Sequence, residues 1–353
     1  MDLELLRQEI RRTDMEIIDL ISRRTDLAEQ IGRIKKENGS PIRNVAVEKK
    51  VIERYTDASA SSGVSEETLS QIAKALIKEA VDREASIPGA YHVKNDIAVI
   101  GGSGKMGKWI SDLLKADGHT ITDIDPRAGN GLSVEDAKNA DVVIVSVPID
   151  ATDGVLRQLD GICRPDALIF DLTSLKTPVS DTLKDMAKRR KVTSMHPMFG
   201  PSASSIYNRN LIVCDCGCKK AVDEAVSLFD DKGGNLRIMD LDKHDEYMSY
   251  VLGLSHAVNI AFFTVLQRSG ISFEDMCTVA STTFRKNMGT NESVAMEDPK
   301  LYYDIQHMNC HRDAMWNTFS DAVEDLKKAS LEDDNTDFIR MMDAGREYFS
   351  SRD

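Results

Sequence analysis

Four apolar residues, Ile97-Ala98-Val99-Ile100, lead without a break into Gly101-Gly102-Ser103-Gly104-Lys105-Met106-Gly107, and an amphipathic stretch with Ile110, Leu113 and Leu114 follows at once. Strand, glycine turn and helix in that order make an anion cradle: glycine admits the tight turn and the close approach of backbone, and free N–H groups at the helix start hold phosphate oxygens. Gly102 is expected to make the turn, Gly104 to admit a pyrophosphate and Gly107 to bring helix against strand. Ser103, Lys105 and Met106 complete the loop. Val142-Val143-Ile144-Val145 and Leu168-Ile169-Phe170 are continuous apolar runs, as strands covered on both faces require. The expected architecture is an α/β, doubly wound parallel sheet of the Rossmann kind.

The second strand, His119 to Ile124, ends at Asp125, eighteen residues beyond Gly107, where a carboxylate can bond the adenosine ribose hydroxyls. This favours NAD, because a 2′-phosphate would meet negative charge; Arg127, two residues on, keeps NADP open. Val147 and Pro148, after the third strand, belong to the same cofactor pocket. Catalytic groups belong at the carboxyl ends of such strands. Ser174 follows the strand ending at Asp171, and His196 follows Val192-Thr193-Ser194-Met195 and opens a stiff loop, His196-Pro197-Met198-Phe199-Gly200-Pro201.

Ahead of this lies an all-helical segment. Leu3, Leu6, Ile10, Ile17, Leu20, Leu27, Ile31 and Ile34 recur at spacings of three, four and seven, with no proline before Pro41. Such a helix runs to roughly 50 Å at 1.5 Å per residue, so a partner chain must cover its stripe. A shorter helix is expected near Val45 to Tyr55, then a Ser/Gly loop from Ser59 to Gly63. A third helix follows, capped by Ser65, with Leu69, Ile72, Leu76 and Ala80 facing inward. Arg24 interrupts the apolar stripe, and Lys35, eleven residues later, projects from nearly the same face, so the two cations can act on one anion.

Leu6-Arg7, Arg24, Lys35, Pro41-Ile42 and Glu48 resemble, in order and spacing, the all-helical chorismate mutases. The resemblance implies an intertwined homodimer. Arg7 from the partner chain and Arg24 would bind carboxylates of chorismate, Lys35 would bond the ether oxygen and Glu48 the hydroxyl. Two positions depart from the pattern. Val47 stands where the family often has arginine, with Arg43 as a candidate replacement. Glu84 stands where many members have glutamine, and it is expected to work protonated, since a carboxylate would repel the charge developing on the ether oxygen.

The glycine loop, Val145-Ser146-Val147-Pro148, Asp171-Leu172-Thr173-Ser174-Leu175-Lys176 and His196-Pro197-Met198-Phe199-Gly200 together resemble prephenate dehydrogenase of the bacterial type fused to a chorismate mutase. The resemblance spans essentially the whole chain. It implies that His196 takes the proton of the ring hydroxyl as hydride leaves for NAD, and that Ser174 orients both groups. Arg285 would bind a carboxylate of prephenate and His256 would lie in the substrate pocket. Residues 243–348, with Tyr250, Leu254, Val258, Phe262 and Leu266 on one side, resemble the family's helical dimerisation domain.

The expected domains are 1–88 (helical mutase), 95–240 (NAD-binding) and 241–353 (helical dimerisation and substrate domain), with Ser86-Ile87-Pro88-Gly89 as a linker. A net charge of −13 argues against a nucleic-acid surface. Met1-Asp2-Leu3-Glu4 lacks a signal-peptide pattern, and contiguous apolar runs such as Val142–Val145 are too short for a bilayer, so a cytoplasmic enzyme without membrane contact is expected. Cys214, Cys216 and Cys218 alternate along a strand and are read as reduced thiols. His244, Asp245 and Glu246 read as a solvated helix start, and no metal is expected there or at His307 and His311. Three other readings stay open: a non-catalytic helical module, arogenate as substrate, or another hydroxy-acid dehydrogenase.

Overall fold

A computed structural model describes residues 2–38, 40, 44–87 and 93–350. Pro41, Ile42, Arg43, Pro88 and Gly89 lie outside the described residues. The chain divides into two compact units, Met1–Ser174 with Val179–Leu241, and Leu175–Pro178 with Asp242–Asp353.

The first unit begins with α1 (Leu3–Glu37), capped by Asp2, whose carboxylate accepts from the Glu4 N–H at 3.2 Å. Next come α2 (Val45–Asp57), the single turn α3 (Ser59–Ser62) and α4 (Glu66–Ser86). The turn α3 falls where the sequence suggests only loop, and Gly63 ends it at φ 71°. Residues 2–23 of α1 are exposed throughout. Only a second face touches α4, made of Thr25, Ala28, Gly32 and Lys36. Gly32 is what permits the approach: a Cβ there would sit 2.9 Å from Cγ and 3.1 Å from Cα of Glu84. The apolar stripe from Leu3 to Ile34 therefore stays open in the single chain. On α4 the buried side chains are Ala73, Leu76, Ile77, Ala80, Val81 and Glu84, while Ile72 is exposed, contrary to expectation. Helix α4 packs against both α1 and α2, so its buried face is wider than, and rotated from, the stripe its own periodicity suggests.

The sheet follows: β1 (Asp96–Ile100), α5 (Lys105–Ala116), β2 (Thr120–Ile124), β3 (Val142–Val145), α6 (Ile149–Ile162), β4 (Leu168–Asp171), α7 (Ser180–Ala187), β5 (Val192–Pro197), β6 (Asn210–Asp215), α8 (Lys219–Ser227) and β7 (Asn235–Asp240). Strand order is β2-β1-β3-β4-β5-β6-β7. The first five strands run parallel, but β6 is antiparallel to β5, with His196 opposite Ile212. The expected doubly wound parallel sheet is present, with one reversed pairing at β5 and β6. The segment 198–209 between β5 and β6 carries no helix, and antiparallel pairing needs no crossover. Val99, Ile110, Leu114, Ile144, Phe170, Met195 and Phe229 form the core between sheet and helices. Strand order reverses between β1 and β3, which opens a crevice at their carboxyl ends.

The second unit is helical: α9 (Leu241–Met248), a π-helical turn at Ser249–Leu254, α10 (Ser255–Arg268), α11 (Phe273–Thr278), α12 (Thr282–Ala295), α13 (Pro299–Met308), α14 (Arg312–Leu331) and α15 (Thr336–Ser350). The wide turn frees the Gly253 carbonyl, which Gln306 Nε2 takes at 2.7 Å. Leu241–Arg268 forms 28 continuous helical residues that include an 18-residue stretch of mean hydropathy 1.5, enough to cross a membrane by length and composition alone. Contiguous runs underestimated it, because Ser249, Gly253, His256 and Asn259 break up the apolar string in sequence but not on the helix. Tyr250 and Val258, on the side expected to carry the apolar residues, are exposed within the chain.

Replacing Gly32 by valine is expected to push α1 from α4 and cost about 1–3 kcal/mol, read as a lower melting midpoint, with mutase activity lost before dehydrogenase activity.

Candidate active sites

At the helical end, Arg24 and Lys35 both turn toward α4, as their spacing suggests. Arg24 Nη1 donates to the Leu76 carbonyl at 2.6 Å, and Lys35 Nζ donates to Glu84 Oε2 at 2.7 Å. Leu76 and Glu84 are eight residues apart, about 12 Å along the helix, so the two cations are held at separate points of one helix face rather than together. Glu84 is buried and Glu48 half-buried on α2. The direct Lys35–Glu84 ion pair shows that, in the free chain, Glu84 faces an ammonium. Arg7 lies elsewhere: it is exposed and pairs loosely with Glu4 at 3.7 Å. Twenty-eight residues separate it from Lys35, about 42 Å of helix, so the two cannot touch one substrate within a chain.

In the sheet, the glycine loop is shaped as a cradle, though the positive φ (82°) belongs to Gly101 and not Gly102. A Cβ on Gly102 would meet Asp123 Oδ1 at 2.3 Å, and one on Gly107 would meet the Gly101 carbonyl at 2.2 Å. Asp123, which the sequence reading passed over, accepts from Ser103 Oγ at 2.8 Å. Lys105 and Met106 open α5, with Gly104 as its N-cap. A cavity of about 710 Å³ opens beside the loop, lined by Gly101, Asp125, Arg127, Leu132, Val147 and Pro148 among others. Asp125 is buried and takes three hydrogen bonds from Arg127: N–H at 2.8 Å, Nε at 3.1 Å and Nη2 at 2.8 Å. Those bonds hold its carboxyl below the usual range. The expected ribose ligand is thus fixed by the residue that kept a 2′-phosphate open. Arg127 also extends over the cradle, its Nη2 3.4 Å from where a Gly104 Cβ would stand.

His196 is buried in the last turn of β5, opposite Ile212, and Ser174 is half-buried three residues after β4. In the second unit, His256 is buried and stacks on Tyr302, with ring centroids 4.0 Å apart. Its Nδ1 has no hydrogen-bond partner among the described residues, and burial pulls the ring down to about 4. Arg285 is exposed on α12, donating to the Cys277 carbonyl at 3.3 Å. The solvated helix start expected at 244–246 is overturned. His244 and Asp245 are buried, and Asp245 accepts from the His244 ring, the N–H groups of Lys176 and Thr177, and Thr177 Oγ1. Burial pushes this carboxyl up, but those bonds bring it down to about 2. Only Leu175–Pro178, folded into this unit, explains the pair, and no local sequence signal links residues seventy positions apart. Cys214 and Cys216 are buried and joined in no disulfide, and Cys218 is half-buried before α8.

Three family models match the chain in series: chorismate mutase type II over residues 6–85, the nucleotide-binding domain of prephenate dehydrogenase over 116–238, and the prephenate dehydrogenase dimerization domain over 240–344. The T-protein of Haemophilus influenzae is 26% identical over 348 residues, covering 98% of this chain and 91% of that protein. The T-protein of Enterobacter agglomerans is 25% identical, covering 86% of this chain and 81% of that protein. The solved prephenate dehydrogenase of A. aeolicus, in complex with hydroxyphenyl propionate and NAD+, superposes with a TM-score of 0.57 at 20% identity, over 74% of this chain and 99% of that one, a likeness of fold.

His256 generates a pH prediction. Its folded-state value of about 4 lies below the ordinary 6.5, so the unfolded chain binds the extra proton and stability falls as pH drops from 6.5 toward 4. The loss is expected to approach about 3 kcal/mol. Urea melts of His256→Gln across that window should lack most of this slope, leaving a separate loss below pH 4 as Asp245 is protonated.

Proposed function

The chain belongs to the family in which a type II chorismate mutase domain precedes a prephenate dehydrogenase, and on that premise we propose how its residues divide the work. It isomerises chorismate to prephenate and oxidises prephenate, with loss of carbon dioxide, in tyrosine biosynthesis. Residues 1–88 carry the first reaction, 95–240 bind NAD, and 241–353 dimerise and bind substrate.

The rearrangement needs no nucleophile, only a compressed substrate and positive charge at the breaking ether bond. Arg24 and Lys35 supply that charge from one chain, and Glu48 binds the hydroxyl. Arg7 serves the site of a second copy, and the observation that supports this is the bare apolar stripe over residues 2–23 together with the 42 Å estimated above. The working protein is therefore a homodimer. On this reading Lys35 and Glu84 both serve the ether oxygen of chorismate. Val47 leaves one carboxylate contact unfilled.

The cradle and cavity fit a dinucleotide: a Cβ at Gly102 would collide with Asp123 and one at Gly107 with the Gly101 carbonyl, so glycine keeps the turn tight and α5 close, and a cavity of about 710 Å³ opens beside it. Gly102, Ser103, Gly104, Lys105, Met106 and Gly107 hold the pyrophosphate, Asp125 the ribose hydroxyls, and Val147 and Pro148 line the pocket. NAD, when bound, supplies the hydride acceptor. His196 takes the proton of the ring hydroxyl as that oxygen becomes a carbonyl, and Ser174 orients the imidazole. Release of the ring carboxylate as carbon dioxide leaves an aromatic ring and makes the step irreversible. In the second unit Arg285 is the carboxylate-binding cation and His256 a neutral pocket residue.

Three outcomes test this. Full-length protein given chorismate and NAD is expected to consume chorismate and then form NADH; NADH from supplied prephenate alone would instead make residues 1–88 a non-catalytic module. His196→Asn should lower dehydrogenase kcat about 10²–10⁴-fold with the KM for prephenate little changed, and near-normal turnover would refute its role. Asp125→Ala should raise the KM for NAD and, by freeing Arg127, improve the relative use of NADP; an unchanged NAD/NADP ratio would remove Asp125 from the cofactor site.

A further inference from the structure

We propose that the mutase helices clamp the loop that follows the catalytic histidine, with Asp82 and Tyr207 as positioning residues of the dehydrogenase reaction. The inference rests on the dehydrogenase reading above. The loop, residues 198–209, leaves β5 directly after His196-Pro197, and every contact that follows lies within the first unit.

The loop is pinned from two sides. On one side Trp109 of α5 donates from Nε1 to the Ala203 carbonyl at 2.7 Å and meets Phe199 edge-on, with centroids 5.0 Å apart. On the other side Asp82 of α4 accepts from Ser205 Oγ, and from Ser204 Oγ at 3.1 Å. Lys78 holds that carboxylate at 2.6 Å and Ser204 Oγ at 3.3 Å. Tyr207 packs against Ile77 and Val81 of α4, which Val51 and Ile52 of α2 also cover, so a dehydrogenase side chain completes the small mutase core. Between the two anchors lies a cavity of about 310 Å³ bordered by Asp82, Trp109, Asp112, Ser205 and Lys232, so the loop spans the gap instead of resting on a continuous core.

Two further observations favour a fixed, imposed geometry. Asn208, next to Tyr207, has φ 53°, the one positive value outside glycine among the described residues, and its N–H donates to the Gly233 carbonyl at 3.0 Å. Such a conformation persists where its surroundings over-determine it. Lys36, the neighbour of Lys35, is buried at the same seam near Asp117 and Asp231, both paired with Lys232. One helix serves both reactions: Asp82 and Glu84 are two residues apart, about 200° around α4, so Glu84 faces Lys35 while Asp82 faces the loop.

A small displacement of a reacting group costs rate more than binding, so release of the clamp should appear in kcat. With prephenate supplied to the full-length protein, Asp82→Ala and Tyr207→Ala should each lower dehydrogenase kcat about tenfold or more, with the KM for NAD and mutase kcat/KM changed less than about twofold. Asp82→Asn, which can still accept from Ser205, should restore most of kcat. In a Trp316→Phe background the fluorescence of Trp109 should shift on Asp82→Ala and return on Asp82→Asn. Unchanged kcat and fluorescence in both alanine variants would overturn the clamp while wild-type turnover leaves the dehydrogenase reading intact. Equal losses of NAD binding, mutase activity and kcat would also overturn it, since they indicate a general loss of structure. Wild-type protein without turnover on prephenate would instead sink the dehydrogenase reading and this proposal's catalytic claim together.

Discussion

Close contact between α1 and α4 at Gly32 is the interaction on which the helical chemistry depends. Because no side chain intervenes, the backbones approach until Lys35 reaches Glu84 and Arg24 reaches the Leu76 carbonyl. A larger residue would separate the helices and spread the cations. The same contact turns the Leu3-to-Ile34 stripe outward, so the face left open follows from the face used within the chain.

The sheet depends on an analogous approach. Gly101 makes the left-handed turn, and Gly107 lets α5 pack on it, so that helix N–H groups and the β1/β3 crevice open on one side. Asp125 and Arg127 then work as a unit. Their mutual hydrogen bonds fix the carboxylate in the cavity wall and neutralise part of the local negative charge, which matters in a chain of net charge −13.

Much of this was legible in the residues. The strands at Ile97, Val142 and Leu168 were apparent because continuous apolar runs have few other uses, and the cap at Ser65 because helix starts need particular side chains. Long-range pairings were not legible. Asp245 gives no local sign that it will bind Thr177, nor Asp82 that it will meet Ser205, because burial of a polar residue depends on what the fold brings against it. Ile72 was misassigned for a related reason: a helix with two neighbours buries a face that its own periodicity does not define.

The sequence by itself determined the order of domains, the dinucleotide cradle and the residue types of both chemistries, since spacing along helix and strand sets which side chains share a face. Tertiary structure alone decided which of those side chains are held and by what: Lys35 by Glu84, Asp125 by Arg127, and the segment after Ser174 by Asp245. It also reversed β6 against β5, a pairing that needs no crossover helix. These are choices of proximity between distant residues, which periodicity and local propensity do not encode.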